Sequence, residues 1–176
     1  MSNSFGLELF LKTHDLHDAD DIETLLEVVD VTRQFLADGR YDALARLIRY
    51  AVDEQCFEAL SWILALLQEA YEAQGSGPAG DAGGPEDFTC ELGRSIPGYD
   101  AFLASLEVDP DVAEYSVEKE FDDVGEERSF FNICTYRTKY PNICLVSSEN
   151  IDYLDSDYIQ YQLRFRKEPA GKETNR

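Results

Sequence analysis

His14 and His17, three positions apart and set among Asp15, Asp18, Asp20 and Asp21, are the residue types of a metal site. Histidines at i and i+3 share a helix face, and a neighbouring carboxylate would supply a further ligand. They are the only two histidines in the chain, and no third soft ligand stands beside them. A solvated turn whose aspartates cap the next helix explains the same residues more simply. No nucleophile or oxyanion device accompanies the pair in a recognisable motif. No metal and no cofactor is therefore expected.

Cys134 and Cys144 are the next candidates. If a hairpin turns about Lys139, they face each other across the ladder at a separation a disulfide can span. The four cysteines, at 56, 90, 134 and 144, are scattered and form no CxxC pair. A reducing, cytosolic setting with small buried thiols is the simpler expectation. No GxxxxGK[ST], GxGxxG, GxSxG or HExxH motif is present. The chain reads as a non-enzyme.

What remains is acid. The 176 residues carry 36 Asp and Glu against 15 Lys and Arg, a formal charge of −21. Nine of these acids lie between Asp109 and Glu127: Asp109, Asp111, Glu114, Glu118, Glu120, Asp122, Asp123, Glu126 and Glu127, with Lys119 the one base that accompanies them. A second group comprises Asp15, Asp18, Asp20, Asp21, Glu23 and Glu27. On an extended strand alternate side chains recur about every 6.6 Å, close to the phosphate spacing of a nucleic-acid strand. Such rows repel nucleic acid and anionic membranes and attract basic surfaces. A solvated face is the ordinary meaning of a charge run. Solubility or a halophilic host would also account for it; the few lysines, five in all, fit a halophile, and the ten Phe do so less well.

The elements that must position these residues follow from periodicity. At 44% hydrophobic and 12% aromatic, the composition supports a folded core. Residues 4–12 alternate and read as a first strand. Ile22–Ala37 reads as an amphipathic helix stopped by Asp38-Gly39. YDALARLIRYA at 41–51 and FEALSWILALL at 57–67 match at an offset of 16. In one continuous helix that offset would turn the apolar stripe by about 160°. A break near Asp53–Gln55 and a helical hairpin are expected instead; two copies do not make a repeat family.

Residues 75–87 read as a Gly/Pro linker, 88–97 as irregular, and 97–106 as a short helix. From Val112 the period becomes two, giving strands near 112–121, 128–137, 142–147 and 157–166. On the first of these, Tyr115, Val117 and Phe121 form an inner face tied to the core. Lys119 shares that face, which calls for a sheet edge or a bulge.

The expected fold is α+β, with an N-terminal strand and helical hairpins packed on a C-terminal four- to five-stranded antiparallel β-sheet. One domain spans 1–176, with a helical half at 14–74 and a helix-plus-meander half at 97–166. No apolar run is long enough for a membrane span, and no secretory signal begins the chain.

The expected role is an acidic inhibitor that binds the basic surface of a nucleic-acid-binding protein or nuclease and blocks its nucleic-acid site by charge mimicry. It would bind neither nucleic acid nor membrane itself. Phage anti-CRISPR and anti-restriction proteins and toxin-immunity proteins share this physical class. The partner-binding residues would be the nine acids above with Asp18, Asp20, Asp21 and Glu23, and Tyr115, Tyr153 and Tyr158 would be rim anchors. The alternative is a protein–protein adaptor that uses the hairpin 41–73 and is acidic only for solubility.

Overall fold

The computed structural model describes residues 22–74, 85–121, 123–152 and 158–168. The expected first strand, His14 and His17 lie outside them. Among the described residues there are four helices, α1 (Ile22–Ala37), α2 (Tyr41–Asp53), α3 (Phe57–Gln74) and α4 (Tyr99–Ser105). There are five strands, β1 (Phe88–Gly93), β2 (Glu114–Phe121), β3 (Glu127–Arg137), β4 (Ile143–Asp152) and β5 (Tyr158–Phe165). The strands form one antiparallel sheet in the order β1-β5-β4-β3-β2. The fold is α+β, with three of the four helices in the N-terminal half and the strands following them.

The helical hairpin turns where the offset in the sequence requires it. Gln55 takes a left-handed φ of 58°, and the Cys56 N–H reaches back to the Ala51 carbonyl at 2.8 Å. This satisfies one of the carbonyls left open at the end of α2. Gly39, with φ 65°, does the same for α1, where the Arg40 N–H bonds the Phe35 carbonyl at 2.9 Å. Leu44, Leu47 and Ile48 of α2 meet Leu60, Ile63, Leu64 and Leu67 of α3 in a fully buried core. Each such side chain, withdrawn from water, contributes about 1.5–3 kcal/mol.

One face of the sheet joins this core through Cys90, Ile143, Leu145, Leu163 and Phe165. The Phe88 and Phe165 rings stack in parallel, 4.2 Å between centroids.

Two expectations are corrected here. Residues 88–93 are not irregular: Phe88, Cys90 and Leu92 alternate inward, and the strand pairs with β5, Cys90 opposite Leu163. Pro85–Asp87 is not a free linker end either. Pro85 is buried, and Glu86 is held by both Tyr71, whose hydroxyl donates to its carbonyl (2.7 Å), and Tyr41, whose hydroxyl accepts its N–H (3.1 Å).

A buried polar clamp joins the two layers. The Gln68 amide of α3 donates to Asn142 Oδ1 (2.8 Å) and accepts the Asn142 backbone N–H (3.0 Å). Asn142 Nδ2 in turn donates to the carbonyls of Arg166 (2.7 Å) and Lys167 (2.9 Å). Both side chains lie in the interior, where an amide is stable only if its donors and acceptors are met.

Burial pushes the Cys90 thiol from 9.0 up to about 12 and the Tyr99 hydroxyl from 10.0 up to about 12. Tyr71 moves the same way, chiefly through burial. The folded state therefore holds these protons more tightly than the unfolded chain. Their contribution to stability is complete below the unfolded values and is lost as pH rises through the folded ones. The denaturant midpoint is expected to fall between pH 9 and 12 as these groups give up their protons, and a midpoint unchanged over that interval would contradict the assignment.

Candidate functional site

β2 is the last strand of the sheet, paired with β3 alone among the described residues. Its register sets Glu114 opposite Thr135, Ser116 opposite Ile133, Glu118 opposite Phe131 and Glu120 opposite Ser129. Ile133 belongs with Cys144, Val146 and Phe131 to a small apolar cluster on the face turned away from the helices. Glu114, Ser116 and Glu118 therefore share that far face, and Tyr115 and Val117 take the helix side.

The helix layer does not reach them. It packs over β1, β5 and β4 and meets β3 at Tyr136, and no described residue of β2 belongs to the buried core. Tyr115 is 77% exposed, Val117 59% and Phe121 60%. The inner face expected for this strand is thus corrected: alternation is present, but Tyr115, Val117 and Phe121 are exposed rather than tied to the core. Both devices expected around Lys119 occur among the described residues, where the strand is an edge and the register shifts between Glu120 and Phe121.

The exposed apolar side chains are concentrated here. Among the described residues seven large hydrophobic side chains are exposed, and five of them, Val112, Tyr115, Val117, Phe121 and Val124, lie within the acidic stretch. Scattered apolar surface is ordinary, but apolar surface gathered in one segment marks an interaction site.

The acids are not all alike. Glu114 already accepts a hydrogen bond from Arg137 at 3.2 Å, an exposed pair that adds little to stability. Asp109 is turned inward on its own loop, accepting the Asp111 N–H at 3.0 Å, and Asp111 stands exposed beside it. Arg137 and Lys139 border this end, where they share a shallow hollow with Glu107 and Asp109. Glu118 on β2 and Asp123 and Glu126 in the β2–β3 turn are exposed at the far end. Glu127 begins β3, and Glu23 lies on α1. Asp18, Asp20, Asp21 and Asp122 lie outside the described residues. Of the three tyrosines expected as rim anchors, Tyr115 is exposed, Tyr158 is half-buried under the Arg94 guanidinium, 4.1 Å from its ring, and Tyr153 lies outside the described residues.

The cysteine expectation fails on register. Thr138 organises a five-residue turn: its hydroxyl accepts the Tyr140 N–H (3.1 Å) and donates to the Ile143 carbonyl (2.7 Å). β3 then pairs with β4 so that Cys134 faces Ser147 and Cys144 faces Arg137, on opposite faces of the sheet. None of the four cysteines is in a disulfide.

A cleft of about 1010 Å³ lies on the far face, with Thr89, Thr135, Cys144 and Gln162 among its lining. Arg164, Arg166 and Lys167 enter it together with Asp87, Glu114 and Glu168, so its charges balance. The Gln162 amide, oriented to satisfy both ends, links Glu91 (3.2 Å) to Arg164 (2.8 Å). Burial raises the Cys144 thiol even though Arg166 and Arg164 oppose it, which leaves a poor nucleophile. Sequence reasoning did not nominate this cleft. Its signal was the polar alternation of Gln162 and Arg164 on β5 with Arg166 just beyond it.

No group of three His, Cys, Asp or Glu side chains suited to a metal occurs among the described residues. No described helix is long and apolar enough to cross a membrane. No protein-family model, curated protein or solved structure matches the chain.

Proposed function

We propose that this protein is a non-enzymatic inhibitor whose acidic edge, β2 and the β2–β3 turn, docks on the basic surface of a nucleic-acid-handling protein and occludes its nucleic-acid site. The observation that carries the reading is the coincidence of charge and apolar exposure on one segment. Acidity for solubility alone predicts a wet face without hydrophobic side chains. Here Tyr115, Val117 and Phe121 are exposed among Glu114, Glu118 and Asp123. Charge of this kind steers encounter, and desolvated aromatic and apolar anchors supply lasting affinity.

The adaptor alternative has less support. Trp62 is the one large exposed hydrophobic of the hairpin 41–73 among the described residues, the other large apolar side chains there being buried or partly buried.

The test is capture from host lysate at low and high salt, with the partner identified by mass spectrometry. The partner is expected to bind nucleic acid, to be released as salt rises, and, once purified, to be displaced by excess duplex DNA. A partner with no nucleic-acid site, or a complex indifferent to salt and to DNA, overturns the reading.

A further inference from the structure

The manner of docking can be taken further. β2 ends the strand order, and between Glu114 and Glu118 its outer edge meets no other strand among the described residues. Edge strands are ordinarily blunted by proline, bulges, inward charges or a covering element. The bulge at Glu120/Phe121 and Lys119 protect the far end of β2. The stretch Glu114–Glu118 holds no proline and no bulge, and it exposes Tyr115 and Val117. A regular edge that no described strand covers, with apolar groups on one face, is a template for strand addition.

We propose that the partner adds an extended segment along Glu114–Glu118 as a further strand. Its basic side chains lie on the face of Glu114 and Glu118, and its apolar ones lie beside Tyr115 and Val117. This rests on the protein-binding reading above and specifies its geometry. The occupant follows from charge. Glu114 and Glu118 stand about 13 Å apart on one face, and directly opposed unlike charges stabilise a cross-strand pair while like charges destabilise it. A second copy of the chain is disfavoured on the same ground: antiparallel self-pairing centred on Ser116 sets Glu114 against Glu118 twice, and centring it on Val117 sets Glu114 against Glu120. The incoming segment is therefore a different polypeptide in which basic and apolar residues alternate.

The probe is a short capped peptide alternating lysine with valine, titrated against the full chain at low salt. Its isomer with lysines and valines in separate blocks is the control. The alternating peptide is expected to bind at least about tenfold more tightly than the isomer. Methylating every second backbone nitrogen, so that the bonding edge loses its donors, is expected to abolish that advantage. Adjacent residues of β2 point their N–H groups in opposite directions, so one of Ser116→Pro and Val117→Pro leaves the β3 ladder intact. Whichever variant keeps the native melting temperature is expected to lose the alternating peptide.

Equal binding of the two peptides, or no effect of N-methylation, overturns strand addition while leaving the acidic-surface reading in place. Failure of both peptides to bind at low salt overturns both. Normal binding by a folded proline variant overturns strand addition alone.

Discussion

Asn142→Ala is expected to lower the free energy of unfolding by about 3 kcal/mol. The reason is the number of groups that depend on one amide. Its removal strips the Arg166 and Lys167 carbonyls of their donor and takes one acceptor from Gln68. Gln68 keeps the Glu72 carboxylate at 3.1 Å and the Asn142 main chain still joins Gln68 to Arg166, but the side-chain link from α3 to the end of β5 is lost. The denaturant midpoint should fall with an unchanged slope. Asn142→Asp separates hydrogen bonding from packing. The carboxylate keeps the shape but cannot donate to two carbonyls, so its folded pKa is raised by burial. That variant should be the less stable at neutral pH and should recover as pH falls through the carboxylate range, where the neutral acid can donate again. A loss below about 0.5 kcal/mol for Asn142→Ala would remove the clamp from the account of the fold.

Reversing Glu118, Glu120, Asp122 and Asp123 to lysine is expected to weaken partner binding by on the order of a hundredfold and to flatten its salt dependence. Stability should scarcely change, since the described members Glu118 and Asp123 are exposed. The informative control reverses an equal number of exposed acids elsewhere: Asp38, Asp42, Glu58 and Glu69 on and between the helices. Both variants change the net charge equally. If the edge is the binding surface, the edge variant loses affinity and the helix variant keeps most of it. If affinity falls equally in both, the total charge matters and the edge does not. Surface plasmon resonance at several ionic strengths separates these outcomes, because loss of steering appears chiefly in the association rate.

Much of this fold is legible in the residues. α1 begins and ends where its apolar stripe and Gly39 place it, and the offset of 16 between the two helical segments forces the hairpin turn at Gln55. Period-two alternation locates β2 to β5 to within a few residues, β4 running furthest past its expected end. β1 escaped notice because its six residues, ending at Gly93 soon after a Gly/Pro run, carry only three alternating apolar positions, Phe88, Cys90 and Leu92.

The register of β3 on β4 was not legible because it depends on a hydroxyl. Thr138 caps its own turn, and that sets Arg137 opposite Cys144. Nor was the exposure of Tyr115 and Val117. Alternation tells which side chains share a face, but it does not tell how far a helix layer extends across a sheet. For the site, the acids of the edge could be read from charge alone. What distinguishes that edge from a solvated run, the uncovered apolar face, required the layer to be seen.

The tyrosines that hold Glu86 have a bearing on how this protein can be handled. Tyr71 and Tyr41 fix the chain at Glu86, and the Gln74 side chain donates to the Pro85 carbonyl at 3.2 Å. The two ends of the segment 75–84 are therefore closed upon each other by bonds that belong to its neighbours. Because loop closure grows only logarithmically with length, each doubling of that segment costs about 0.6 kcal/mol. A fluorescent domain or an affinity tag spliced between Gln74 and Pro85 would ride on a pre-closed gate, carried by the helical side of the molecule and leaving β2 at the opposite end of the strand order untouched.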